Sequence, residues 1–220
     1  MAKSFAWSFS ALTRFEQCPK QYYHLNLRKD FKDEDSEWSL DGQVIHDAMH
    51  KRVIKGTPLP LPLRPHEKVA GKFAAAEGEK HGEMKLALNR KFEPVDFFAN
   101  DVWVRGIVDL LVIRDTTGIV VDWKTGKQKP GFDQLLLTAA IVKQYMPELT
   151  AFQLVYVWLK PGTISTTGAN DSALRSTWNK FLPRVSAIEA AIQTTSFPAK
   201  PSGLCRYCPV RSCPNWKPRD

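Results

Sequence analysis

Two neighbouring apolar segments, 104–113 (VRGIVDLLVI) and 118–124 (GIVVDWK), place the strongest constraint on how this chain folds. Both are short and rich in β-branched residues, which is typical of buried strands. The residues that join them, 115–118 (DTTG), suit a hairpin turn. Each segment nevertheless contains a carboxylate, Asp109 in the first and Asp122 in the second. Because a buried carboxylate is costly unless something compensates it, these two side chains are candidates for a functional site.

The rest of the pattern predicts an α/β protein. Apolar residues make up 43% of the 220 residues, which is enough for a buried core and favours one domain. The helices expected from periodicity and turn signals are at 8–18, 39–55, 66–89 (broken or capped near Gly78 or Gly82), 132–145 and 171–193. The expected strands are at 91–98, 101–114, 118–124 and 151–159. An irregular tail follows them, because the last residues are rich in proline and cysteine.

Asp109 and Asp122 are expected to meet on adjacent strands, because the predicted hairpin joins them. Two carboxylates that close repel each other unless a cation lies between them, and Mg²⁺ and Mn²⁺ sites are built in this way. Lys124 shares the face of Asp122, since residues two apart on a strand point to the same side. With the carbonyl of Trp123 as a further ligand, the set suits metal-assisted phosphodiester hydrolysis. A structural Asp122–Lys124 ion pair is the alternative interpretation.

Three further side chains are candidates for the same site. His46 lies on the second predicted helix, where it is either a core residue or, as a neutral imidazole, a metal ligand. Glu93 begins the first predicted strand and is either a surface residue or a carboxylate beside the metal or the phosphate. Gln134 opens the helix after Lys124, where it is either an ordinary terminal amide or a hydrogen-bond partner of Lys124 or of the scissile phosphate.

The four cysteines suggest a second centre. They are Cys18, Cys205, Cys208 and Cys213. The last three are spaced C-x2-C-x4-C in the proline-rich tail, and four thiols suit either a [4Fe–4S] cluster or structural Zn²⁺. The division into three plus one favours the iron–sulfur cluster, because zinc usually recruits two CxxC-like pairs. Unrelated free thiols are the alternative. We interpret the site as a cross-link between segments 1–20 and 200–220, not as the reaction centre.

The charge favours a polyanionic partner. The formal net charge is +8 and the isoelectric point about 9.3, which favour nucleic acid, although a generically basic protein is the alternative. Basic and aromatic candidates for contacts with DNA are Arg14, Lys20, Tyr22, Tyr23 and Arg105, each of which is otherwise a surface residue. No apolar run approaches the roughly 18 residues of a membrane span. The N-terminal residues contain no apolar signal core, and four cysteines are too few for a disulfide scaffold, so we expect a cytoplasmic protein.

Taken together, these motifs resemble the PD-(D/E)XK nuclease superfamily, and in particular its RecB-like, CRISPR-associated type of exonuclease with an iron–sulfur site. The family's motifs fall on His46, on Gly106 and Asp109 (Gly-x-x-Asp), on Asp122, Trp123 and Lys124 (D/E-x-K), and on the four cysteines. One motif departs from the family pattern. The family often has Gln-x-x-x-Tyr on the following helix, and here Gln134 is followed by Thr138, which leaves the handling of the DNA strand open.

The resemblance implies a fold and a domain organisation. The fold is a restriction-endonuclease-like α/β core with a central mixed β-sheet flanked by helices, and with the N- and C-termini joined by the four-cysteine cluster site. One nuclease domain spans residues 1–220, with a helical segment at 39–89 and the nuclease core at 91–195.

The resemblance also implies an activity. His46, Asp109, Asp122 and the Trp123 carbonyl would bind Mg²⁺ or Mn²⁺, with Lys124 catalytic. We add Gln134 to the catalytic set, and Glu93, Arg105 and Tyr22 as candidates for supporting the metal ligands or binding DNA. The expected reaction is exonuclease cleavage, with endonuclease cleavage as a variant, of single-stranded DNA or DNA ends in recombination, repair or phage DNA processing.

Two other functions fit the same residues. One is a catalytically silent DNA- or protein-binding module on a nuclease fold, and the other is a structural zinc-binding adaptor. The sequence contains no Walker-type loop, so a helicase or recombination partner would be a separate chain. A bacterial, archaeal or phage origin is expected.

Overall fold

The structure, a computed structural model, describes residues 5–32 and 37–217, with only the backbone described at 37–41. Residues 1–4 and 218–220 of the predicted terminal segments therefore lie outside the described residues. The chain divides into two compact units, one of Met1–Ala6 and Glu37–Asn179 and the other of Trp7–Ser36 and Lys180–Asp220.

The elements are numbered in chain order. The helices are α1 (Phe9–Gln17), α2 (Pro19–Tyr22), α3 (Glu37–Lys55), α4 (Glu67–Ala74), α5 (Asp133–Tyr145) and α6 (Asp171–Gln193). A π-helical segment covers Tyr23–Arg28, and 3₁₀ segments cover Leu61–His66 and Gly203–Tyr207. The strands are β1 (Glu79–Leu88), β2 (Pro94–Val95), β3 (Val104–Arg114), β4 (Thr117–Lys124), β5 (Ala151–Trp158) and β6 (Thr163–Asn170). Among the described residues, no helix is both long enough and apolar enough to cross a membrane.

The larger unit is built on a six-stranded sheet with the order β2-β1-β3-β4-β5-β6. All neighbouring strands are antiparallel except β4 and β5, which run parallel and are connected through α5. A parallel pair needs such a crossover, because a short turn cannot reverse the chain twice. The predicted mixed α/β fold, with helices packed on a central sheet, is confirmed.

The core of the larger unit lies between this sheet and helices α3 and α4. The buried side chains of the cluster are Met49, Val53, Leu59, Ala70, Leu110, Val112, Val121, Trp123, Val155, Val157 and Leu159. Each large aliphatic side chain buried in this way contributes about 1.5–3 kcal/mol relative to an exposed one. The cluster fixes α3 against β3 and β4, and these are the elements that carry the predicted site residues.

The helix predicted over 66–89 is wrong in its second half. Helix α4 ends at Ala74, and β1 follows after Gly78. Gly78 has a φ of +111°, and a Cβ there would overlap the backbone of Ile113. The good helix formers in β1 are overridden by nine paired positions with β3, from Glu79–Ile113 to Leu88–Val104. The sheet therefore begins before residue 91.

Two further strand predictions differ from the structure. The strand predicted at 91–98 is reduced to β2, because the chain first turns at Phe92, which has a φ of +63° and donates its N–H to the Asn89 carbonyl. Strand β6 was not predicted. Its sequence is polar and most of its residues are exposed, because it lies at the edge of the sheet. It therefore lacks the apolar alternation that predicts a strand.

The smaller unit is held by aromatic side chains around α1. Ser8 caps the helix by accepting the Ala11 N–H at 3.3 Å, and this is the residue type expected at that position. Trp7 is 1% exposed and stacks on Phe181 at 6.1 Å between ring centroids. Helix α1 ends at Gln17, and Pro19 begins the next helix, as a proline at the first helical position can.

Candidate active site

The site is centred where the β3–β4 ladder ends. The last paired residues are Leu110 and Val121, and the next position along the strands holds Asp109 and Asp122. The N–H of Trp123 donates to the Asp109 carboxylate at 2.9 Å. Beyond the last paired residues, this side-chain acceptor replaces a backbone carbonyl of the neighbouring strand. Asp122 is 7% exposed and the Asp109 side chain 11%. The two predicted carboxylates are therefore brought together on adjacent strands.

Helix α3 brings His46 to the same point. Its Nδ1 lies 3.3 Å from Oδ2 of Asp109. The close approach of α3 depends on Gly82 of β1, because a Cβ there would overlap the His50 ring and would lie 2.9 Å from Cγ1 of Ile54. His46 is one helical turn from His50 and lies on the same side of α3. The proximity of His46 to Asp109 that the sequence predicts is therefore present.

Glu83 is a further member of the site that the sequence analysis missed. Its two neighbours in β1 pair with Leu110 and Val108, so Glu83 lies opposite Asp109. Its φ of +53° is unusual for a strand residue. Ligand atoms of His46, Glu83 and Asp109 all lie within 4.8 Å of one another. The signal that could have revealed it is the alternation in HGEMKLAL, which is typical of a strand.

Lys124 and Gln134 form a closed hydrogen-bonded triangle with Asp122. Lys124 Nζ donates to Asp122 Oδ1 at 3.0 Å and to Gln134 Oε1 at 2.9 Å, while Gln134 Nε2 donates to the same Asp122 Oδ1 at 2.9 Å. Of the alternatives open for Gln134, the structure shows the hydrogen bond with Lys124. The Tyr156 ring, whose centroid is 5.4 Å from Lys124 Nζ, adds a cation–π contact. These contacts fix the ammonium group beside the two aspartates.

Negative charge accumulates in this partly buried place. Burial, and then the charge of Asp109, raise the pKa of Asp122, and Lys124 offsets only part of the effect. Burial and the same Asp109 charge raise the pKa of Glu83. Burial disfavours the protonated form of His46, but its hydrogen bond with Asp109 and the surrounding carboxylates outweigh burial and raise its pKa. An added cation would relieve the repulsion between these carboxylates.

The donor set fits a hard divalent cation. Oδ2 of Asp122 is buried, and its contact is the ion pair with Lys124 Nζ at 2.8 Å, which leaves a lone pair of this oxygen for a cation. Carboxylate oxygens and a neutral imidazole are ligands for such ions. His46, Glu83 and Asp109 bring such atoms together from α3, β1 and β3, and Asp122 lies beside them on β4.

Comparison with known families agrees with this geometry. The model of the PD-(D/E)XK nuclease superfamily matches residues 6–214. The chain belongs to the PD-(D/E)XK nuclease superfamily. Nucleases of this superfamily use divalent metals, and the mixed sheet described above is the restriction-endonuclease-like core.

Solved structures resemble this nuclease fold at low sequence identity. A crystal structure from Eubacterium rectale, described as a “Putative exonuclease”, is 14% identical with a TM-score of 0.57, and the match covers 91% of this chain and 86% of that one. The crystal structure of SSO0001 is 15% identical with a TM-score of 0.47, covering 99% of this chain and 88% of that one. A search of curated proteins finds no significant match. The similarity to the Eubacterium rectale structure supports the fold alone.

Three other predicted residues do not join the candidate metal ligands. Glu93 is exposed in the β1–β2 connection, where its carboxylate accepts from the Asn89 side chain at 2.8 Å. Arg105 lies on β3 and donates from Nε to the Phe97 carbonyl at 2.7 Å. The prediction that Tyr22 contacts DNA is wrong: Tyr22 is 1% exposed and packs edge-to-face on Phe15, because its ring belongs to the core of the smaller unit.

The four cysteines lie together in the smaller unit. All are free thiols, and all line one cavity of about 40 Å³. The N–H of Lys200 donates to Cys18 Sγ at 3.4 Å, and the N–H of Ser202 donates to Cys205 Sγ at 3.3 Å. Burial raises the pKa of Cys208, and the negative charges of the other three cysteines as thiolates add to it, while a backbone hydrogen bond at Val210 opposes the rise. The arrangement suits a positively charged centre bound by sulfur.

Proposed function

We propose that this chain is a metal-dependent DNA exonuclease of the RecB-like type, which hydrolyses phosphodiester bonds of single-stranded DNA or DNA ends. The observation that carries the proposal is the convergence of His46, Glu83 and Asp109, next to Asp122 and the ammonium group of Lys124 that Asp122 holds. Several carboxylates and a histidine at one point, with a lysine next to them, are the parts that phosphodiester hydrolysis needs.

The four ligand side chains, with the Trp123 carbonyl as a further ligand, would hold Mg²⁺ or Mn²⁺. Such an ion supplies Lewis-acid polarisation of a phosphate oxygen and a lowered pKa for water. The Trp123 N–H donates to Oδ2 of Asp109, and His46 contacts the same oxygen. The protein therefore orients the ligands before an ion binds, which reduces the cost of assembling the site.

Lys124 acts on the phosphate and on the attacking water. Its ammonium group carries three protons, of which hydrogen bonds to Asp122 and Gln134 engage two. The remaining N–H can donate to a phosphate oxygen, where negative charge grows in the transition state. Gln134 positions Lys124, because its amide bonds both the ammonium group and the Asp122 carboxylate.

The test is cleavage of end-labelled single- and double-stranded linear DNA with Mg²⁺ or Mn²⁺. We expect the wild-type protein to shorten the DNA from its ends and Lys124→Ala to lose on the order of 10²–10³-fold in rate, as for removal of one group that stabilises transition-state charge. Lys51→Ala is the matched control, because Lys51 forms a solvent-exposed ion pair with Asp47 at 2.6 Å. It should cleave as the wild type does.

Two outcomes contradict the assignment. If DNA stays intact after incubation with the wild-type protein and either metal ion, the nuclease hypothesis is excluded and the silent binding module remains. Retention of DNA on a gel would support that second hypothesis. Equal cleavage by Lys124→Ala and Lys51→Ala would remove Lys124 from the reaction. Internal nicking of a circular substrate would make the activity endonucleolytic instead.

The second part of the proposal is that Cys18, Cys205, Cys208 and Cys213 hold a [4Fe–4S] cluster, with structural Zn²⁺ as the alternative. Support comes from the shared cavity and from the two backbone N–H groups that donate to sulfur, since such hydrogen bonds stabilise negative charge on thiolates. The site lies in the unit that contains no ligand of the proposed nuclease metal, so its role is structural.

Metal analysis after anaerobic purification tests the cluster. We expect about four irons per chain and a brown protein, and loss of iron in Cys18→Ser. The matched control is Ser212→Ala, which changes a residue beside Cys213 that is not a cysteine. One zinc per chain without iron would exclude the iron–sulfur cluster and support the zinc site. The absence of both metals from a folded protein would exclude a metal centre at the cysteines.

The proposed setting is the cytoplasm of a bacterium or archaeon, or of a phage-infected cell, with DNA as the substrate and any helicase as a separate chain. The net charge of +8 supports a nucleic-acid substrate. Processing of DNA ends in recombination, repair or phage DNA metabolism is the role that suits such an exonuclease.

A further inference from the structure

Next to the metal-binding side chains, the sheet presents exposed residues of another kind. Lys85 of β1 pairs with Ile107 of β3, two residues along the strands from Glu83 and Asp109. Both side chains are exposed, Ile107 at 47%. At about 3.3 Å of rise per residue, Ile107 lies about 7 Å along β3 from Asp109. This surface therefore adjoins the site and lies in the same unit.

Two phenylalanines from the β2–β3 connection extend the surface. Phe98 is 73% exposed, and Lys85 Nζ lies 6.0 Å from its ring centroid. Phe97 meets Phe98 edge-to-face at 5.2 Å, and the Arg105 guanidinium lies 5.3 Å from the Phe97 centroid. We name Lys85, Phe97, Phe98, Arg105 and Ile107 the aromatic–basic strip.

The strip is held by its own hydrogen bonds. Arg105 Nε donates to the Phe97 carbonyl at 2.7 Å, and the Phe98 N–H donates to Asp96 Oδ1 at 2.8 Å. The Ala99 N–H donates to the Asp96 carbonyl at 3.0 Å and closes the turn. The Phe98 ring is thus presented to solvent on an ordered turn, and a ligand that stacks on it does not have to order the loop.

We propose that the aromatic–basic strip binds single-stranded DNA beside the bond that is cleaved, with Phe98 stacked on an unpaired base and with Lys85 and Arg105 on phosphates. The inference rests on the proposed nuclease function and adds the form of the substrate. Aromatic side chains next to cationic ones are the usual means of binding a single strand. A base paired in duplex DNA has both faces covered by its neighbours, so the Phe98 ring favours an unpaired strand.

The test is fluorescence anisotropy of a labelled oligothymidylate in EDTA, where binding is measured without cleavage. We expect Phe98→Ala to weaken binding about 5- to 100-fold, the range for losing one stacked base, and Phe98→Trp to retain it. Lys85→Ala should weaken binding and reduce the salt dependence by about one phosphate contact. An abasic oligonucleotide should bind wild type and Phe98→Ala alike.

The matched controls remove equal groups elsewhere on the larger unit. Leu61 is also 73% exposed, so Leu61→Ala removes an equally exposed apolar side chain. Lys72→Ala removes an equal charge from α4, beside a cavity of about 310 Å³ that Lys68 and Trp158 also line. Both should bind the oligonucleotide as the wild type does. Weaker binding by Lys72→Ala than by Lys85→Ala would place the strand in that cavity and overturn the proposal.

The outcomes separate this inference from the proposed function. Equal affinities of Phe98→Ala and Leu61→Ala for the oligonucleotide overturn the inference, and DNA cleavage by the wild type with Mn²⁺ then leaves the nuclease function standing. If Phe98→Ala loses binding and the wild type does not cleave DNA, the proposed role of the aromatic–basic strip is supported and the nuclease function is excluded. Tighter binding of duplex than of single-stranded DNA also counts against the strip.

Discussion

Gly82→Ala is the substitution that tests most directly how the fold places His46. The new Cβ would lie 2.8 Å from His50 Cε1 and 2.9 Å from Ile54 Cγ1, whereas ordinary contacts are 3.4–4 Å. Helix α3 must therefore retreat from β1 by about 0.5–1 Å. His46 is one turn away on the same helix, so it is expected to move away from Asp109.

The size of the effect follows from two opposing contributions. Overpacking a core costs about 1–3 kcal/mol, while alanine in place of glycine restricts the unfolded chain and returns about 0.4–1 kcal/mol. We expect a net loss of about 1–2 kcal/mol in the free energy of unfolding, which corresponds to about 2–8 °C in Tm for a protein of this size. A displacement of about 1 Å in a catalytic group costs on the order of 10²-fold in rate.

The assay is urea unfolding followed by tryptophan fluorescence, with Mn²⁺ titration by calorimetry on the same samples. Gly168→Ala is the matched control, because the nearest atom to a Cβ there is the Phe152 carbonyl oxygen at 4.0 Å. It should keep both stability and Mn²⁺ affinity. Adding His50→Ala to Gly82→Ala should restore part of the loss. Wild-type stability and Mn²⁺ affinity in Gly82→Ala would refute this account of α3.

Three further predictions address single contacts. Glu83→Ala should weaken Mn²⁺ binding about 10-fold in calorimetry, while the control Glu79→Ala, on the same strand, should leave it unchanged. Equal Mn²⁺ affinities of these two variants would exclude Glu83 as a ligand. Tyr145→Phe should lower the free energy of unfolding by about 1–3 kcal/mol, because the hydroxyl accepts the Ala87 N–H and donates its one proton to the Ala87 carbonyl at 2.8 Å or the Val95 carbonyl at 3.0 Å; an unchanged urea midpoint would contradict this. A double-mutant cycle on the exposed Glu16–Arg184 pair should give a coupling free energy of at most about 1 kcal/mol, because solvent screens the two charges. A larger coupling free energy would contradict this screening.

Much of the site was predictable because its residues interrupt a strong local pattern. Asp109 and Asp122 stand in apolar strands joined by a short hairpin, so the sequence alone predicts both the strands and the meeting of the carboxylates. The contact between Gln134 and Lys124 was predictable for the same reason, since α5 begins shortly after β4 ends.

Glu83 was missed because the helix-forming residues of its segment compete with the strand-like alternation of HGEMKLAL. Its segment is rich in good helix formers and became a strand only through pairing with β3, a partner more than twenty residues away in the sequence. The burial of Tyr22 has a similar cause, because an aromatic residue near basic ones suits both a surface and a core, and its packing on Phe15 decides between them. In both cases tertiary contacts outweigh the pattern of neighbouring residues.

The hydrogen bond from the Trp123 N–H to Asp109 makes one backbone amide a spectroscopic reporter of the site. In an ¹⁵N-correlated NMR spectrum, the resonance of this amide responds to the charge on a single carboxylate, while the amides of the paired residues above it respond to the sheet. Titration with diamagnetic Mg²⁺ should therefore shift the Trp123 cross-peak by more than those of Val120 and Val121. Occupancy of the site can thus be followed in solution without DNA and without turnover.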